Sequence, residues 1–90
     1  MDFDTASVHD DLGEVQRAAG NVREAEAAFR RAAALDATLA HPHLALGELC
    51  EAGGRAAEAV GHYRAFVALE KDAANAALIR ERIAQLSPRE

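Results

Sequence analysis

Four histidines and one cysteine are the side chains in this sequence with the most obvious capacity for chemistry. His41 and His43 flank Pro42, and imidazole is the commonest protein ligand for a transition metal. The spacing speaks against a metal site. Residues two apart at the start of a helix aim in different directions, and neither Cys-x-x-Cys nor His-Glu-x-x-His accompanies them. Cys50 would act as a nucleophile only as a thiolate, which needs a nearby cation. Its sequence neighbours are Glu48 and Glu51, with no lysine or arginine beside it, so a buried structural thiol is expected. Asp10 and Asp11 are adjacent on a helix and point apart, which does not make an acid–base pair. There is no nucleophile elbow and no phosphate loop. The sequence therefore predicts no catalytic residue, no metal and no cofactor; the chain does not read as an enzyme.

What must position any binding residues is a small helical domain. Ninety residues allow one domain, taken as residues 1–90, with a thin core. Half of the residues are hydrophobic, yet only four are aromatic and none is tryptophan. Alanine and leucine dominate, a mixture suited to close helix packing, and no stretch alternates long enough to read as a strand. The fold class is all-α. Fifteen acids against ten bases give a formal charge of −5, which argues against nucleic acid as a partner. No apolar run approaches the ~20 residues that span a bilayer, so no membrane is expected. The first residues lack the basic and apolar regions of a secretory signal, and a single cysteine cannot form an internal disulfide. A cytoplasmic location is the expectation.

The strongest organising signal is an internal repeat. At an offset of 34 residues His9 falls on His43, Leu12-Gly13-Glu14 on Leu46-Gly47-Glu48, and Gly20 on Gly54. Glu24-Ala25 falls on Glu58-Ala59, Arg30 on Arg64, Leu35 on Leu69, and Phe29 on Tyr63. Residues 6–19 and 40–53 carry apolar positions at helical spacing: Val8, Leu12 and Val15, then Leu46, Leu49 and Cys50. Each ends at glycine, Gly20 or Gly53-Gly54, where a left-handed cap is expected. Asn21 and Glu24 have the spacing of a capping box for the next helix. Ala25, Phe29 and Ala32 form its buried stripe, matched by Ala59, Tyr63 and Phe66. Pro42 stands near the start of the third helix, where its missing N–H costs nothing. A fifth helix is expected from Asp72 to about Leu86, stopped at Ser87-Pro88, with Leu78, Ile79, Ile83 and Leu86 as its buried stripe. The glycine after each leucine, Gly13 and Gly47, costs ~1 kcal/mol in mid-helix. Close approach of the partner helix, through Ala25 and Ala59, is the expected compensation.

In these residues the chain resembles the tetratricopeptide repeat family, whose unit is a helix–turn–helix of 34 residues. The resemblance rests on Leu12-Gly13, Gly20, Ala25, Phe29 and Ala32, then on Leu46-Gly47, Gly54, Ala59 and Tyr63. It implies about two and a half units in a short right-handed superhelical stack: residues 6–39, residues 40–73, and a C-terminal capping helix at about 72–87. The family's tryptophan is His9 and His43 here, its tyrosine is Gln16 and Cys50, and its closing proline is Ala37 and Lys71. Phe66 stands where a small residue is usual. One unit on, Leu46-Gly47 becomes Arg80-Glu81, as befits the polar end of an array.

The resemblance also implies a function, binding other proteins as a scaffold or adaptor. In this family the first helix of each unit lines a concave groove. Mapped onto this sequence, the groove carries Ser7, Asp10, Glu14 and Arg17, then His41, Leu44, Glu48 and Glu51, then Asn75, Leu78 and Arg82. That surface leans acidic, so the expected partner is a neutral to basic protein or peptide. Some members clamp an acidic C-terminal tail with lysine and asparagine, but this groove has no lysine. Two other readings stand beside it. The chain could be a fragment of a larger repeat protein whose activity lies elsewhere, or a homo-oligomer joined through its ends by an apolar face around Phe3 and Val8.

Overall fold

The computed structural model describes residues 5–72 and 74–87. Among them are five α-helices and no strand: α1 Ala6–Ala18, α2 Val22–Leu35, α3 His41–Ala52, α4 Ala56–Leu69 and α5 Ala74–Leu86. Every substantial helix–helix contact joins neighbours in the chain, so the fold is a stack of helix–turn–helix units. Phe3 and Pro88 lie outside the described residues. Asp72 belongs to a turn, and α5 starts at Ala74.

The two glycine turns are built alike. Gly20 and Gly54 have φ of 81° and 77°, the left-handed region in which a side chain is strained. After α1, Gly20 N–H donates to Arg17 O at 3.0 Å and Asn21 N–H to Gln16 O at 2.9 Å. Thirty-four residues on, Gly54 N–H donates to Glu51 O at 3.1 Å and Arg55 N–H to Cys50 O at 2.8 Å. This is the Schellman pattern, which satisfies carbonyls that a helix end leaves open. The helix starts are less regular than expected. Asn21 stands at the start of α2 but its side chain makes no cap bond; its amide donates to Gln16 Oε1 at 2.8 Å instead. The cap that does form is at α1, where Thr5 Oγ1 accepts from Val8 N–H.

The close approach at the mid-helix glycines is real, but alanine is not what fills it. A Cβ on Gly13 would stand 2.6 Å from the Phe29 ring, and one on Gly47 would stand 2.5 Å from the Tyr63 ring. Each unit thus locks an aromatic ring of its second helix over a glycine of its first. Phe29 then continues into a cluster with Ala25, Ala45, Leu46 and Leu49, which joins the units. Cys50, Ala59 and Tyr63 form a second cluster, closed by Leu44, Ile79, Ile83 and Leu86.

Two expected stripes are corrected. Val8, Leu12 and Val15 are exposed, and α1 buries only Ala6 and Gly13. Their equivalents in α3 are buried because α2 lies over them, whereas nothing among the described residues covers that face of α1. In α5, Leu78 is exposed, while Ala76 is buried and Ile79, Ile83 and Leu86 do the packing. A buried charge also ties the units together. Glu26 of α2 reaches the Arg55 guanidinium at the start of α4 and the Arg30 guanidinium at 3.1 Å.

Candidate functional site

The charged and polar side chains of the expected groove do meet, in ion pairs and hydrogen bonds. In α1, Asp10, Glu14 and Arg17 follow at helical spacing and share one face. In α3, His41, Glu48 and Glu51 do the same. Across the gap His41 Nδ1 lies 2.8 Å from Asp10 Oδ1, and Arg17 donates to Glu48 Oε1 at 2.9 Å while also approaching Glu14 at 3.4 Å. Further along, Arg82 of α5 pairs with Glu51, whose other contact is the Tyr63 hydroxyl donating at 2.8 Å from α4. The odd-numbered helices therefore present a continuous ladder of charge, four carboxylates facing two guanidiniums and one imidazole.

Residues 8–42 match the family model for the tetratricopeptide repeat. That segment is a tetratricopeptide repeat. The matched segment covers most of α1, all of α2 and the first two residues of α3, and the α3–α4 pair repeats its glycine turn and its ring-over-glycine contact. None of the curated proteins matches the chain. Tetratricopeptide repeats mediate protein–protein interaction, and the family is typically a non-catalytic scaffold.

The apolar members of the expected site divide. Leu44 is half-buried against the second core cluster, so only part of it faces outward. Leu78 is largely exposed, one turn before Arg82 on the same helix. Two features of this surface escaped the sequence reading. One is the Tyr63–Glu51 bond, which crosses between helices. The other is the extent to which Arg17 and Arg82 already engage the carboxylates.

The two sequence-adjacent histidines separate as their spacing predicts. His41 faces Asp10 and meets the Phe29 ring edge-on at a centroid distance of 6.1 Å. His43 instead stacks on His62 of α4 at 6.2 Å, and its Nδ1 is buried without a hydrogen-bond partner. Burial lowers the pKa of both members of this pair, and their mutual repulsion lowers that of His62 further. Cys50 is fully buried, and burial raises its thiol pKa despite the opposing influence of Arg55, a cation the sequence neighbours did not reveal. A protonated, enclosed thiol is a poor nucleophile. Among the described residues no group of three or more histidine, cysteine or acidic side chains could hold a metal ion, and no helix is long and apolar enough to cross a membrane.

Proposed function

We propose that the chain is a single domain, two units plus the capping helix α5, that holds a neutral to basic peptide or partner segment along α1, α3 and α5. The observation that carries this reading is the ladder itself. Asp10, Glu14, Glu48 and Glu51 sit on one surface, answered among the described residues by Arg17, Arg82 and the His41 imidazole. An exposed pair such as Arg17–Glu48 contributes only about 0–1 kcal/mol, so an incoming cation can share or replace Arg17 at small cost. Leu78 and the outward part of Leu44 offer apolar contact within the same strip. A surface of one dominant sign also speeds capture of the opposite charge.

Titration calorimetry of the chain against matched basic, neutral and acidic peptides tests this. The basic set should bind, and binding should weaken as salt rises, because exposed charges are screened over ~8 Å at physiological ionic strength. Glu48→Gln with Glu51→Gln should weaken it further without setting a new cation against Arg17 or Arg82. Tight binding of an acidic C-terminal peptide instead would overturn the reading.

A further inference from the structure

One rung of the ladder carries a charge that pH can remove. Imidazole is the side chain that changes charge between about pH 5 and 8, whereas a guanidinium keeps its charge throughout. His41, on the first turn of α3, turns both ring nitrogens toward carboxylates of α1. Its Nδ1 lies 2.8 Å and 3.0 Å from the two oxygens of Asp10, and its Nε2 lies 3.7 Å from Glu14. A neutral ring has one N–H and one lone pair, so only the imidazolium turns a proton toward both. From α2 the ring meets the uncharged Phe29 ring at a centroid distance of 6.1 Å. From α1 Arg17 holds Glu14 at 3.4 Å and Glu48 at 2.9 Å, and on the same helix as His41 the next imidazole, His43, turns to His62 instead.

We propose that Asp10, Glu14 and His41 form a proton-gated subsite for a lysine or arginine side chain of the bound segment. The proposal rests on the peptide-binding reading above, and it adds which partner residue goes to this rung and what controls its entry. Charged, His41 is a counter-ion already in place, and a cationic side chain brought to the same carboxylates meets it as a like charge. Neutral, it leaves Asp10 and Glu14 more negative by one charge. The four carboxylates of the ladder face two guanidiniums, so one proton on His41 halves the negative excess of the strip. The rung is also accessible: His41 and Glu14 are 46% and 47% exposed, so a cation reaches them without opening the core. As it enters, a ring N–H bond breaks, its electron pair stays on nitrogen and the proton passes to solvent. Linkage fixes the sign. A ligand that favours the neutral ring binds more tightly as pH rises and releases a proton when it binds.

Titration calorimetry of the chain with a lysine-rich peptide that has blocked ends and no histidine tests this, at constant salt. Affinity should be about fivefold higher at about pH 7.5 than at about pH 5.5, the effect of one unit charge roughly 4 Å away at a wet surface. Heats measured between those values in buffers of different ionisation enthalpy should show proton release on binding. His41→Gln should make the affinity independent of pH over this range and abolish the release. His43→Gln with His62→Gln should keep both effects, which separates the gate from the pH dependence of folding; circular dichroism sets a temperature at which every chain is folded at both pH values. The same peptide with its lysines acetylated has lost its charge, and it should bind less tightly and release no proton. Equal affinity at the two pH values, tighter binding at the lower one, or proton release that persists in His41→Gln would overturn the gate and leave the peptide site standing. A lysine-rich peptide that binds at neither pH would instead remove the peptide site, and the gate with it.

Discussion

At the scale of single residues, three glycines in helices separate two kinds of constraint. Gly47 lies under a Tyr63 ring that is itself buried and cannot retreat, whereas Gly61 in α4 has open space where a Cβ would be. Gly47→Leu forces overpacking, which costs about 1–3 kcal/mol, and thermal melts should show a clear drop; Gly13→Leu beneath Phe29 should behave alike. Gly61→Ala should move the melt the other way, since an unhindered helical glycine gives up about 0.5–1 kcal/mol relative to alanine. The need for glycine was readable from the Leu-Gly-Glu triplets, but the ring that imposes it was not, because a 34-residue match reports equivalence between units and not contact within one. The histidines yield a pH prediction. Folding depresses the pKa of His43 and His62, so the unfolded chain binds their protons more readily. Their contribution is therefore fully present above the ordinary histidine value of about 6.5 and is lost as pH falls through the depressed values. Arg30 adds to the repulsion, while Glu26 and Glu58 oppose it. The melting temperature should start to fall below about pH 6.5, and His43→Gln with His62→Gln should flatten that slope.

At the scale of elements, the glycine turns and the buried stripes of the second helices were legible in full, while the cap expected at Asn21 and the first and last helices were legible only in part. Ala25, Phe29 and Ala32 are buried as their spacing predicts. Val8, Leu12 and Val15 have the same periodicity and are exposed, because periodicity says which face is apolar and not whether anything covers it. Leu78 was ambiguous for a related reason: it adjoins both the packing stripe of α5 and the outward strip that includes Arg82. The charged strip was visible as residues on the first helices, but its pairing was not, since Arg17–Glu48 and Arg82–Glu51 each join residues 31 apart. Helix α5 supplies a direct test of element-level reasoning. Ile79, Ile83 and Leu86 close the cluster of Cys50, Ala59 and Tyr63, so removing residues 74–90 exposes that cluster to water. The shortened chain should aggregate or lose helicity per residue in circular dichroism. A monomer of unchanged helicity would mean that α5 does not act as the cap.

At the scale of the whole molecule, stability should be graded along the stack. The molecule measures 49 × 28 × 19 Å, which is two helix diameters in its thinnest direction. No central core exists for every helix to share, and each helix draws its stability from its neighbours in the chain. Those neighbours are unequal. Helix α3 is packed by both α2 and α4 and buries six residues, while α1 buries two and α5 one. The buried Glu26 further fastens α2 to the start of α4, its carboxylate pKa lowered chiefly by the hydrogen bond from Arg55. Local opening should therefore begin at the two ends and reach α2, α3 and α4 last. Amide hydrogen exchange reads this gradient. Protection should peak in α2, α3 and α4 and be lowest in α1 and α5. Uniform protection across all five helices would show instead that the stack opens as one cooperative block, and the nearest-neighbour account of its stability would fail.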